Sequence, residues 1–181
     1  MSNLSGQILL SGRPFVIAGP CSAESEEQVM DISKQIVMNN SVQMLRAGIW
    51  KPRTRPASFE GMGEVALTWL VNAGKATGLL TCTEVANNRH VELALKEGVD
   101  VLWIGARTTV NPFTVQEIAE ALKGVDIPVM IKNPVNPDLQ LWLGAFEQFE
   151  NVGITDLIGI HRGFSVYNHP KYRNVPSWEI P

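Results

Sequence analysis

Six short apolar runs, each followed by a longer stretch of helical periodicity, leave this chain few folds to choose from. The runs cover residues 14–19, 43–47, 79–85, 101–105, 127–132 and 157–161. They are hydrophobic almost throughout rather than alternating, the pattern of parallel strands covered on both faces. Between them the period lengthens to near 3.6. Val115, Ile118, Ala119 and Leu122 form one such stripe, and Val29, Ile32 and Ile36 form another. Ser22 or Ser25 can cap the first helix, with Glu24, Glu26 and Glu27 near its positive end. Gly78, Gly98, Gly124 and Gly153 fall where successive helices should stop. Six strands alternating with five helices predict an α/β fold with a parallel sheet, and no linker or low-complexity segment divides residues 1–181 into more than one domain. Strand starts recur roughly every 28–29 residues, a βα spacing. Eight such units would end near about residue 240, close to the usual (β/α)₈ length of about 250. The chain is therefore either a six-stranded doubly wound sheet or about two-thirds of a barrel. Spacing alone does not choose.

Fifteen Lys and Arg against eighteen Asp and Glu give a net charge of −3, so no overall basic field draws the chain onto nucleic acid. Any anion site must be a local concentration of cations. No apolar run approaches the roughly 18–20 residues that span a bilayer, and residues 1–13 lack the pattern of a signal peptide. Two cysteines, Cys21 and Cys82, do not make a disulfide framework. The expectation is a soluble cytoplasmic protein without nucleic-acid or membrane partners.

In both candidate architectures ligands bind at the carboxyl ends of the strands, and there the unusual polar residues gather. Gly19-Pro20-Cys21-Ser22 follows the first strand. Arg46 lies within the second, and Lys51-Pro52-Arg53-Thr54-Arg55 follows it. Glu84 closes the third, Gly105-Ala106-Arg107 the fourth, Lys132 the fifth and His161-Arg162-Gly163 the sixth. Taken singly each has an ordinary reading: a buried thiol, a solvated loop cation, a rim acid. Their recurrence at equivalent positions changes that. Cations placed around one mouth repel one another unless an anion sits among them, and phosphate and carboxylate suit Arg forks and Lys point charges. Cys21 could ligate a borderline metal, but one thiolate is not a site. His90 reads as a surface residue of the third helix and His169 lies in an irregular tail. His161 should point away from the pocket if its neighbour Arg162 points inward.

Together these motifs closely resemble the 3-deoxy-D-arabino-heptulosonate-7-phosphate (DAHP) synthase family. The matching pieces are IAGPCS at 17–22, LRAGIWKPRT at 45–54, TEV at 83–85, IGAR at 104–107, IK at 131–132 and HRG at 161–163, in the family's order. The style is similar to the subgroup fused to a chorismate mutase domain, although no mutase-like helical segment is present. The resemblance implies a (β/α)₈ TIM barrel, here incomplete with about six βα units. It also implies condensation of phosphoenolpyruvate with erythrose 4-phosphate, with release of phosphate, at the start of the shikimate pathway. By resemblance, a divalent metal such as Mn, Fe, Co or Zn polarises the tetrose aldehyde, and Cys21 matches its thiolate ligand. Arg46, Lys51, Glu84, Arg107, Lys132 and Arg162 match the phosphoenolpyruvate site, with Lys51 also the proton donor toward the aldehyde oxygen. Arg53 and Thr54 match the tetrose-phosphate contacts, and Ala106 contributes backbone near the phosphoenolpyruvate phosphate. A homo-oligomer is expected, with a mutase domain in a longer chain.

Three departures accompany the resemblance. The family's later Asp-Pro-Ser-His segment and its Glu and Asp metal ligands are absent, an N-terminal regulatory domain is missing, and Arg55 stands where a small hydroxyl residue is common. The expectation is thus an amino-terminal barrel portion, inactive alone, with one of four metal ligands. Two other readings compete: a Schiff-base aldolase using Lys132 as nucleophile, and a non-catalytic barrel fragment that binds a partner chain.

Overall fold

The computed structural model describes residues 3–53, 55–167, 171 and 174–180. Six strands, β1 (Val16–Ala18), β2 (Val42–Arg46), β3 (Leu80–Val85), β4 (Val101–Ile104), β5 (Val129–Lys132) and β6 (Leu157–Ile160), form one sheet in the order β1-β2-β3-β4-β5-β6. All five pairings are parallel. A doubly wound sheet reverses its strand order at a switch point, and this sheet has none. Each strand lies beside the next in sequence, and the sheet curls as part of a (β/α)₈ barrel.

Two cores on opposite faces explain why the strands read as continuously apolar. Outward residues Leu45, Val85, Leu102, Ile104, Val129 and Ile131 pack against the helix layer. Inward residues Met44, Cys82, Val101, Trp103 and Met130 form a second cluster, joined by Ile17, Ile158 and Ile160. Alternate residues along one strand thus belong to different cores.

Helices α2 (Glu26–Val37), α3 (Glu64–Thr77), α4 (Asn88–Glu97), α6 (Pro112–Ala121) and α7 (Leu139–Asn151) are the expected crossovers. Ser25 caps α2, accepting from the Gln28 amide, while Ser22 is buried. The predicted stripe of α6 holds, with Val115, Ile118, Ala119 and Leu122 all buried. Gly78 and Gly98 end α3 and α4 in the left-handed conformation at φ 73° and 83°, where a Cβ would be strained.

Two more helices were not foreseen. The four-residue α5 (Ala106–Thr109) directly follows β4, and α1 (Leu4–Leu10) precedes the first strand. Helix α1 sits at the amino-terminal mouth of the curl. Asp156, just before β6, accepts from the Leu4 amide at 2.6 Å and the Ser5 amide at 2.9 Å, so a carboxylate satisfies donors at the positive end of the helix. Leu4, 4% exposed, closes the inner cluster from below. Only Leu4 of α1 is buried, and a single apolar contact carries no periodicity to read.

This arrangement distinguishes the two ends of α1. Leu4→Ala is expected to destabilise the fold by about 2–5 kcal/mol, the range for deleting a buried leucine. Leu10→Ala, at a side chain 89% exposed, should stay within about 0.5 kcal/mol. Urea unfolding with unchanged slope reads the difference directly.

Candidate functional site

The strands that build the inner core also raise the polar site above it. Moving two residues toward the carboxyl end along one face, Met44 gives way to Arg46, Cys82 to Glu84, Val101 to Trp103 and Met130 to Lys132. Each step rises about 6.6 Å, so the apolar layer is overlaid by a polar and aromatic one. A cleft of about 420 Å³ opens there, lined by Cys21, Arg46, Gly48, Trp50, Lys51, Pro52, Arg53, Glu84, Trp103, Arg107 and Lys132. Among these described residues, five cationic side chains surround one carboxylate.

Glu84 is the internal counter-charge. Lys132 Nζ lies 3.0 Å from Glu84 Oε2, and Trp103 Nε1 donates to the same oxygen at 2.7 Å. Lys132 Nζ also stands 4.7 Å from the centre of a Trp103 ring, and Arg46 Cζ 5.3 Å from it. The indole therefore offers its edge to the anion and its electron-rich face to two cations. Gly105 leaves the space this needs, since a Cβ there would meet Glu84 Oε1 at 2.3 Å. Trp103 is absent from the sequence-based site, because within a uniformly apolar run nothing but its two-residue step from Val101 marks it as facing inward.

The remaining cations are held largely by backbone. Arg46 donates to Pro20 O at 3.2 Å, while its Nε is buried without a hydrogen-bond partner among the described residues. Arg107 donates to Pro52 O at 3.1 Å and Arg53 to Phe59 O at 2.5 Å. Lys51 Nζ donates to Cys21 O at 2.6 Å and approaches Cys21 Sγ at 3.2 Å. Gly48 permits that approach: a Cβ there would lie 2.3 Å from Cys21 O and 3.1 Å from Lys51 Nζ. The hydrogen bond and charge of Lys51 lower the thiol pKa of Cys21, outweighing the effect of burial, with Arg46 adding to the lowering. Cys82, in the inner core, is pushed the other way by desolvation.

The structure thus brings Cys21, Arg46, Lys51, Arg53, Glu84, Arg107 and Lys132 to one cleft. Ala106 is buried as the first residue of α5, outside the lining side chains. Arg55 is exposed and also outside the lining. Thr54 and His169 lie outside the described residues.

Arg162 departs from expectation. Its side chain does not line the cleft; it donates to Asn174 Oδ1 at 2.6 Å. The cause lies beyond β6. Buried Asn133 accepts from the Arg162 amide at 2.7 Å and donates to Gly163 O at 2.9 Å. The Phe164–Val175 bridge then brings Asn174 back beside Arg162. His161 is outside the cleft lining as well, but not by alternation with an inward Arg162: it accepts from the Ser177 amide at 3.0 Å and packs near the rings of Trp142, Phe164 and Trp178. His90 corrects the surface reading. It is half-buried, stacked on Trp50, and its pKa is lowered by burial first and by Arg89 second.

As a metal centre these residues are incomplete. No group of three His, Cys, Asp or Glu among the described residues is placed to hold an ion. In the cleft Cys21 faces an ammonium, and Glu84 is engaged by Lys132 and Trp103.

The sequence profile of the DAHP synthetase I family matches residues 8–177. This chain belongs to the DAHP synthetase I family. It is 32% identical over 166 residues to the phospho-2-dehydro-3-deoxyheptonate aldolase of Thermotoga maritima, covering 92% of this chain and 47% of that protein. A crystal structure of the Thermotoga maritima aldolase (DAHP synthase) aligns with a TM-score of 0.80 at 30% identity, over 91% of this chain and 46% of that one. A truncated form of the Thermotoga maritima 3-deoxy-D-arabino-heptulosonate 7-phosphate synthase aligns with a TM-score of 0.74 at 28% identity, over 91% and 57%. The DAHP synthetase I chain thus spans about half the length of the curated relative it matches.

The Cys21–Lys51 contact has a measurable consequence. The nucleophile in alkylation is the thiolate, so Cys21 should reach half its maximal iodoacetamide rate below the ordinary thiol range. Lys51→Met should move that midpoint upward, while Cys82 stays unreactive in the folded protein. Mass-spectrometric rates against pH check both, and an unshifted midpoint in the Lys51 variant would contradict the contact.

Proposed function

We propose that the cleft binds phosphoenolpyruvate and serves the condensation with erythrose 4-phosphate that yields 3-deoxy-D-arabino-heptulosonate 7-phosphate and phosphate, an early step of aromatic biosynthesis. The observation that carries this reading is the imbalance of five cations around one carboxylate, with Arg46 Nε buried and unpartnered among the described residues. An unmade hydrogen bond of this kind is costly unless a ligand completes it. Phosphoenolpyruvate brings a phosphate and a carboxylate, two anions for two sets of donors. Membership of the family supports the same assignment.

In this reading Arg46, Arg107 and Lys132 hold the enolpyruvate, and Glu84 keeps Lys132 oriented toward it. Arg53, with Thr54, receives the tetrose phosphate. The Lys51 ammonium, within 3.2 Å of Cys21 Sγ, is the proton donor to the aldehyde oxygen as its charge develops. Holding both substrates in one cleft removes the translational cost of their encounter. Lys132 is engaged as a donor to Glu84, which favours anion binding over the Schiff-base alternative. A divalent metal such as Mn, Fe, Co or Zn belongs to the family-based expectation, but the described donor set does not fit one, so Cys21 is assigned no step through it. Cytoplasmic location, homo-oligomeric assembly and a chorismate mutase domain belong to the same proposal. No described helix is long and apolar enough to cross a membrane.

Calorimetry with phosphoenolpyruvate tests the binding assignment. Arg107→Ala should weaken affinity by about 1.5–3 kcal/mol, the scale of a charge-assisted hydrogen bond, or roughly 10- to 150-fold. Equal affinity in the variant, or no binding by the wild type, counts against it.

Turnover is a separate matter. A polypeptide of residues 1–181 given both substrates and Mn²⁺ is expected to release no phosphate above a protein-free control. The support is the missing three-ligand cluster among the described residues. Chelator-sensitive turnover by the monomer would overturn that expectation.

A further inference from the structure

Trp50 walls the cleft beside Lys51, and its ring lies on His90 with centroids 3.8 Å apart and planes 4° from parallel. The two come from different βα connections. Trp50 follows β2, whereas His90 stands in the first turn of α4, just after the strand that carries Glu84. We propose that His90 is a positioning residue: its imidazole is the platform that holds Trp50, and through it the Lys51 ammonium, in place at the cleft.

The platform is itself pinned at its edge. The His90 amide donates to Asn87 Oδ1, the α4 cap, at 2.9 Å, and the ring Nδ1 accepts from the Ala86 amide at 3.3 Å. Asn87 Nδ2 lies 3.4 Å from the other ring nitrogen. A histidine can satisfy the backbone through its edge and still leave a flat face for another ring. Phenylalanine keeps the face alone; alanine keeps neither.

Hydrogen bonds to the backbone hold the chain on either side of Trp50, with the Gly63 amide donating to Ile49 O at 3.4 Å and Arg107 to Pro52 O at 3.1 Å, while the Trp50 ring itself is held by its stack on His90. On one side Ile49 is fully buried. On the other, the Lys51 amide donates to Glu60 O at 2.7 Å, and Pro52 and Arg53 beyond it are exposed. Between these anchors the stack sets the direction in which the chain leaves the core, and so where Lys51 Nζ meets Cys21.

The test compares His90→Ala, His90→Phe and Trp50→Leu with the wild type. One readout is the iodoacetamide rate of Cys21 at pH 7, which reports the nearness of Lys51. The other is phosphoenolpyruvate affinity by calorimetry. In His90→Ala both should fall by roughly 2- to 10-fold, the scale of one aromatic pair. His90→Phe should recover most of the loss, and Trp50→Leu should reproduce it. Adding Lys51→Met to His90→Ala should slow alkylation no more than Lys51→Met alone.

A folded His90→Ala protein with wild-type alkylation and affinity overturns the proposal. Should that variant not fold, Trp50→Leu decides in the same way. The affinity arm rests on the phosphoenolpyruvate reading and the alkylation arm does not. Slowed alkylation without wild-type phosphoenolpyruvate binding would therefore reject that reading while upholding the role of His90.

Discussion

The two-residue alternation of side chains along parallel strands is the constraint on which everything else in this structure depends. It sends Leu45, Leu102, Val129 and Ile131 to the helix layer and Met44, Val101, Trp103 and Met130 to the inside. A slip of one residue in any strand would exchange the two sets. The same alternation separates the inner column into levels. Leu4 closes the bottom, the apolar cluster fills the middle, and Arg46, Glu84, Trp103 and Lys132 crown the top. The site is thus the upper continuation of the core.

Its electrostatics follow from that crowding. Cations at the ends of neighbouring strands raise one another's energy, and Glu84 with the Trp103 ring offsets part of the cost. Largely buried as they are, Lys132 and Glu84 depend on each other, since removing either would leave a poorly solvated charge without its partner. The offset is incomplete. Four further cations line the cleft, and their surplus charge makes it receptive to anions.

Helices and loops tune the cations rather than create them. The α4 cap places His90 beneath Trp50, and Lys51 sits next along the chain. Asn133, wholly buried, ties the end of β5 to the turn after β6 and so governs where Arg162 can go. Thr109 does the same between the loops after β4 and β5, with its hydroxyl within 3.0 Å of both Gly105 O and Lys132 O. These buried polar side chains hold the backbone from which the charged side chains of the cleft project.

Strand positions were legible because each run must be apolar on both faces, and the site cations because charged residues recur at the end of one run after another. The placement of Lys51, Glu84, Arg107 and Lys132 around one cleft was readable for that reason. Helix α1 was not, because its single buried side chain leaves no pattern. His90 and Trp50 were not, because a stack between a loop and a helix 40 residues apart has no local signature. Arg162 followed the strand-end rule, yet its side chain donates to Asn174 of a returning segment instead of lining the cleft. The sequence by itself determined which residues form strands and which charges stand at their ends, since both follow from local periodicity and burial. The motif resemblance already implied the barrel that strand spacing left open; only the tertiary structure decided that Trp103 floors the cleft and that Lys51 meets Cys21. Those outcomes arise from contacts between segments far apart in the chain, where the energy of packing and the geometry of closure are settled together.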